Sequence, residues 1–118
     1  MENDGNDLRE RTYQYGRRVV RLFEALPNDN LAHHFGFQLL RSSTSVGANY
    51  REAYRARSKP EFIAKLGDSL KELDESSFWI RHISDSEFIK PARLSELQKE
   101  TDELIRIFVA SIKTSKGE

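Results

Sequence analysis

The sequence predicts an all-α protein, an antiparallel up-down-up-down four-helix bundle, on three observations. Apolar residues recur at three-to-four spacing through four segments, no sustained stretch alternates as a strand would, and the connections between segments are short. A length of 118 residues suits one core rather than two. The expectation is a single domain over residues 7–113, with 1–6 and 114–118 as frayed tails.

The first segment, Asp7 to Leu26, sets Leu8, Thr12, Tyr15, Val19, Leu22, Phe23 and Leu26 on one face, and Pro27-Asn28-Asp29-Asn30 punctuates its end. The second, Leu31 to Ala56, aligns Ala32, Phe35, Leu39, Ser42, Ser43, Val46, Tyr50 and Ala53. Its inward side is unusually small. Ser42, Ser43 and Gly47 are middling or poor helix formers, so close approach of a neighbouring helix is the simplest reason for them. Ser58-Lys59-Pro60-Glu61 reads as a helix start: a serine cap, a proline in the first turn, and a glutamate three residues after the cap. The third helix runs on to Ser84 with Phe62, Leu66, Leu70, Leu73, Ser77 and Ile80 inward. From Pro91, the fourth carries Leu94, Leu97, Thr101, Leu104, Ile105, Phe108 and Ile112 on its stripe.

Composition narrows the function. The chain has no cysteine, which excludes disulfides and thiolate zinc sites and fits a reducing cytoplasm. MENDGND is acidic where a secretory leader would be basic and then apolar, and no window approaches the ~18 apolar residues of a membrane span. The expected location is cytoplasmic, without a membrane partner. Net charge is zero, yet residues 1–59 hold ten basic against seven acidic side chains, and residues 60–118 nine against twelve. Between Arg41 and Lys59, five cations face only Glu52.

Catalytic and metal chemistry find no support. A di-metal carboxylate centre needs Glu-x-x-His pairs, and the residues three before the histidines are Asn30, Leu31 and Trp79. His33 and His34 diverge by about 100° on a helix and cannot chelate one ion. No arginine lies four to six residues before any histidine, as one class of small helical ribonuclease requires. Glu72, Asp74 and Glu75 read as a solvated helix face, and no nucleophile elbow, Walker loop or dinucleotide-binding glycine pattern occurs. The expectation is a protein that is not an enzyme, with no cofactor and no metal.

Two surfaces remain. Val20, Phe37, Phe78, Trp79 and Ile107 fall outside the core stripes, at least one on every helix, and predict a second buried surface in a homo-oligomer. Arg41, Ala48, Arg51 and Arg55 share the side of the second helix opposite Leu39 and Val46, with Phe37 one turn before Arg41 and with Arg57 and Lys59 beyond. Arginine forks suit phosphate, and an aromatic suits an unpaired base. They suit the acidic half of a neighbouring subunit equally. Asn49, beside the strip, reads as a half-buried amide that fixes helix register.

At these residues the chain resembles the four-helix-bundle proteins named for 23S rRNA intervening sequences, also called S23-like. Gln38-Leu39, Arg41-Ser42-Ser43, Ser45-Val46-Gly47-Ala48-Asn49, Glu52-Ala53, Ser58, Glu61-Phe62, Leu66 and Ser69-Leu70-Lys71-Glu72 carry the resemblance, which extends over Leu8 to Ile112. It implies a ring-shaped homo-oligomer, most simply a homopentamer. Some members are encoded within insertions of large-subunit rRNA genes. A related branch, the accessory variability protein of diversity-generating retroelements, is a strongly basic pentameric barrel that binds nucleic acid and a reverse transcriptase. The present chain is neutral. The sequence as a whole predicts a non-enzymatic module for RNA or DNA, with Arg41, Arg51, Arg55, Arg57 and Lys59 on phosphate. The alternative is a scaffold that binds its own copies and a partner protein, with the arginines at subunit interfaces.

Overall fold

In a computed structural model that describes residues 4–118, and side chains from Leu8 onward, the chain forms four helices: α1 (Asp4–Glu24), α2 (Asn30–Tyr54), α3 (Lys59–Asp85) and α4 (Pro91–Ser115). No strand occurs among the described residues. The Asp29 carboxylate caps α2 by accepting from the Ala32 amide at 2.9 Å, and Ser58 Oγ caps α3 by accepting from the Glu61 amide at 3.2 Å. α4 begins at Pro91 without a side-chain cap. Both outer helices outrun the expected domain: residues 4–6 and 114–115, read from sequence as frayed, are helical, because an end turn needs only its own backbone hydrogen bonds and no burial. Residues 1–3 of the expected tail lie outside the described residues.

Alternating three- and four-residue steps generate most of the core, with Gly16 and Ser42 buried beside them. Thr12, Tyr15, Val19 and Leu22 are buried on α1 and Leu26 just after it, and Ala32, Gly36, Leu39, Ser42, Ser43, Val46, Tyr50 and Ala53 on α2. The same steps bury Leu66, Ser69, Leu73, Ser76, Ile80 and Ile83 on α3 and Leu94, Leu97, Thr101, Leu104 and Phe108 on α4. This is the heptad seam that lets helices pack side by side at a shallow angle. On α3 it corrects the sequence-based stripe: Phe62, Leu70 and Ser77 are half-buried, while Ser69, Ser76 and Ile83 take the interior. Volume explains the exchange. Ser69 donates to the Val46 carbonyl at 2.9 Å, and that close approach of α3 to the α2 backbone leaves no room for a leucine.

Cross-helix contacts give the register. Ser42 meets Ser76 at 2.8 Å, Val46 meets Ser69, and Glu52 meets Lys65, so residue numbers rise along α2 as they fall along α3. A Cβ on Gly47 would stand 3.4 Å from the Thr12 backbone, and one on Gly36 would collide with Phe23 and Leu26, so residue numbers rise along α1 as they fall along α2. Gln98 reaches Ser77 at 3.1 Å between α4 and α3. α4 returns to α1 through Tyr15 and Thr101, 2.7 Å apart, and through Arg11, which grips Glu100 with Nε and Nη2 at 2.9 and 2.8 Å and also pairs with Glu103. The result is a rod of 45 × 22 × 21 Å.

Candidate nucleic-acid interface

The close approach of α1 and α2 leaves a surface groove of about 330 Å³ over their junction. Gly16, itself buried, and half-buried Gly47 lie on its floor, Val20, Thr44 and Ala48 add small walls, and Tyr13 stands at its mouth, 58% exposed. Arg9, Arg17 and Arg51 line it as well, with no acidic side chain among its described lining residues, and Glu10 lines the adjoining hollow with Arg9, Tyr13 and Arg51. Arg9 is held in place: its guanidinium carbon lies 4.0 Å from the centroid of the Tyr54 ring, a cation–π contact. From Arg51 the basic surface continues to Arg55, where Glu52, Glu61 and Lys65 also gather.

The expected basic strip is thus divided. Arg51 belongs to the groove and Arg55 to its continuation. Arg41 points away to α3 and pairs with Glu75 at 3.2 Å. Arg57 is exposed in the connection after α2, and Lys59 is exposed at the first residue of α3. Phe37, 57% exposed, stays out of the groove; its ring packs on Phe23, 4.9 Å between centroids, with His33 beside it. The sequence reading overlooked Arg9, Tyr13 and Arg17. They recur every four residues along α1, the spacing that places side chains on one helical face, and that periodicity is the signal that identifies them.

The residues expected on a second apolar surface fall into two groups. Phe78 is 55% exposed and Phe37 is comparably open, whereas Trp79 and Ile107 are half-buried against the core. Val20 lines the groove. Trp79 packs within 6 Å of Phe35 and of His34, and His82 lies between Phe35 and Phe78 with centroids 4.9 and 4.8 Å away. All three histidines therefore sit among aromatic rings. Among the described residues no histidine or carboxylate group is arranged to hold a metal ion.

Two polar residues beside the strip have clear surroundings. Asn49 is half-buried and donates to the Ser45 carbonyl at 3.0 Å, which keeps its amide within α2. Glu72, expected on a solvated face, is half-buried, and its Oε1 is shielded from water without a hydrogen-bond partner. Burial raises its pKa above the usual carboxylate value, Glu75 adds to the rise, and Arg41 opposes it.

The class that fold and surface define is a small four-helix protein with an arginine-lined groove and an exposed aromatic end. The chain belongs to the 23S rRNA-intervening sequence protein family, whose pattern it matches over residues 6–110. It is similar to a crystal structure from Bacteroides thetaiotaomicron VPI-5482, described as a protein of unknown function from the S23 ribosomal protein family. The two share 31% sequence identity over 94% of this chain and 99% of the other, with a TM-score of 0.87. No curated protein matches the sequence.

Proposed function

We propose that the chain is an antiparallel up-down-up-down bundle that assembles into a ring-shaped homo-oligomer, most simply a pentamer, and serves as a non-enzymatic nucleic-acid-binding module, with RNA the foremost ligand. One observation carries the binding role: Arg9, Arg17 and Arg51 from two helices converge on one groove, next to the exposed ring of Tyr13. Guanidinium forks bind phosphate in two-pronged fashion, and an open tyrosine offers a stacking face. The opposed numbering of the α2/α3 pairs supports the antiparallel arrangement. Exposed Phe37 and Phe78 support assembly, since a monomer leaves both rings wet. A cysteine-free sequence and the absence, among the described residues, of a helix able to cross a membrane are in keeping with a cytoplasmic site of action.

Fluorescence anisotropy with labelled single strands and duplexes, over a salt series and at a mass fixed by light scattering, tests this reading. Phosphate contacts from Arg9, Arg17, Arg51 and Arg55 predict a log–log salt slope of about −3 on single strands. The variant Arg51→Glu/Arg55→Glu should lose most of the affinity and flatten that slope; unchanged binding would remove both residues from the site. The pairing of Arg41 with Glu75 favours a second reading, in which these arginines take carboxylate partners and the protein is a scaffold for its own copies and a partner protein. On that reading the same double variant dissociates the oligomer, and the wild type binds no nucleic acid.

A further inference from the structure

We infer that each copy docks on the next through two different surfaces at one end of the rod: Phe37 of one copy projects into the α3/α4 groove of its neighbour, beside the Phe78 ring there. The inference rests on the assembly reading above and adds the contact that closes the ring. Two apolar features at this end have no cover within a single chain. Phe37, 57% exposed, stands on the α1/α2 side against Phe23. On the α3/α4 side lies an open groove of about 770 Å³, with Ile80, Pro91 and Leu94 as its apolar floor and Phe78 on its rim at 55% exposure. Ser77, Ser84 and Ser95 add polar edges, and an apolar centre within a polar rim is the anatomy of a protein contact.

Height and direction fit a head-to-tail contact. Phe35, two residues before Phe37, packs on Trp79 and His82 with centroids 6.0 and 4.9 Å away, and the groove spans Asp74 to Asp85 on α3, so projection and recess are level. The helices follow one another around the bundle and α4 returns to α1, which sets the α1/α2 and α3/α4 sides on opposite flanks. A projection and a recess on opposite flanks at one height let copies line up side by side, the heterologous contact from which rings close. Charge favours the same pairing. Residues 1–59 hold ten basic against seven acidic side chains and residues 60–118 nine against twelve, so the half of the chain that forms α1 and α2 is the more basic and faces the more acidic half of the next copy. Inside the groove Asp74 and Asp85 stand among Arg81 and Lys99. A twofold contact through Phe78 alone would set like flanks together and leave Phe37 wet. Arg51 lies about 20 Å further along α2 than Phe37, so a contact at this end leaves the arginines of the α1/α2 groove accessible.

The test uses the whole protein. Light scattering after gel filtration gives the mass of the wild type, of Phe37→Ser, of Phe78→Ser and of the two variants mixed in equal amounts. Both rings are more than half exposed, so the helical circular dichroism of each variant should match the wild type. The expected result is an oligomeric wild type, at least a tenfold loss of association in each variant alone, and a heterodimer in the mixture, because Phe37→Ser retains a whole groove and Phe78→Ser a whole projection. Ser95→Arg, which fills the groove from an exposed position, should dissociate the oligomer as Phe78→Ser does, and it leaves the aromatic cluster untouched. Absence of a heterodimer in the mixture would overturn the head-to-tail contact, and dissociation of Phe78→Ser alone would assign that ring to a twofold. Wild-type mass in either folded serine variant would overturn the contact and leave assembly standing on another surface. A wild type that stays monomeric would overturn both this inference and the assembly reading.

Discussion

Removal of the Thr101 hydroxyl should expose how much the bundle depends on a chain of buried hydroxyls that draws on all four helices. Tyr15 on α1 meets Thr101 on α4 at 2.7 Å, and Ser42 on α2 meets Ser76 on α3 at 2.8 Å. All four side chains are inaccessible to solvent, and Ser76 also lies beside the Tyr15 phenol. The proton order follows from the partners. Thr101 Oγ1 donates its one proton to the Leu97 carbonyl at 2.8 Å, so the Tyr15 hydroxyl donates to Thr101. The variant Thr101→Val keeps the shape of the side chain but withdraws that acceptor. An unpartnered buried hydroxyl costs about 1–3 kcal/mol, and the added methyl returns a little under 1 kcal/mol, so the net loss is about 1–2 kcal/mol. With a urea m-value of about 1.5 kcal/mol per M, the midpoint falls by about 1 M.

Tyr15→Phe should cost less, about 1 kcal/mol, because Thr101 keeps its bond to Leu97. The double variant should be no worse than Thr101→Val alone, since neither group is then left waiting for a partner. Equilibrium urea unfolding followed by circular dichroism and by Trp79 fluorescence, at fixed protein concentration, supplies all four corners of the cycle. Full wild-type stability in Thr101→Val, or strict additivity in the double variant, would refute the argument. The pH dependence gives a second readout. Burial pushes the Tyr15 phenol up to about 12, against an ordinary 10, so its contribution is intact below pH 10 and is lost as the pH rises from 10 to about 12. Two pH units correspond to about 3 kcal/mol, and that loss should be missing from Tyr15→Phe.

The remaining predictions concern close packing and one stranded carboxylate. A Cβ on Gly36 would lie 2.6 Å from Leu26 Cδ1 and 2.8 Å from Phe23 Cδ1, whereas one on Gly67 meets nothing within 4 Å. Gly36→Ala should therefore lose about 1 kcal/mol, overpacking outweighing helix propensity, and Gly67→Ala should gain about 0.5–1 kcal/mol; urea midpoints that shift the same way would contradict this. Glu72→Gln should be more stable than wild type at pH 7, because burial disfavours the ionised carboxylate. With its pKa raised, Glu72 is best tolerated in the neutral form, so the advantage should shrink as acid protonates the wild-type residue; an advantage that is constant with pH would point to another cause.

The candidate site was legible in part. Arg51 and Arg55 are visible in the sequence as a charge excess, but charge says nothing about direction: Arg41, on the same predicted strip, turns to Glu75 on α3. Arg9, Tyr13 and Arg17 share a four-residue spacing that marks one face of α1, yet which helix that face adjoins depends on packing. Phe37 was expected beside the arginines and instead stacks on Phe23, because the α1 partner supplies an aromatic surface that no local pattern announces.

The sequence by itself determined the helices and most of the core. Local rules suffice there: caps at Asp29 and Ser58, prolines at helix starts, and apolar periodicity that encodes most of the buried stripes of α1, α2 and α4, where only Leu8, Phe23, Phe35, Ile105 and Ile112 of the expected residues are half-buried. Only the tertiary structure decided the interior of α3, where Ser69 and Ser76 displace larger residues because the α2 backbone and Ser42 come close enough to bond them. It alone set Tyr15 against Thr101, 86 residues apart, and joined arginines from α1 and α2 around one groove. Propensity and periodicity act within a few residues of chain. Register between helices is fixed by how side-chain volumes and hydroxyl partners fit across the core, and that fit exists only once all four helices are in place.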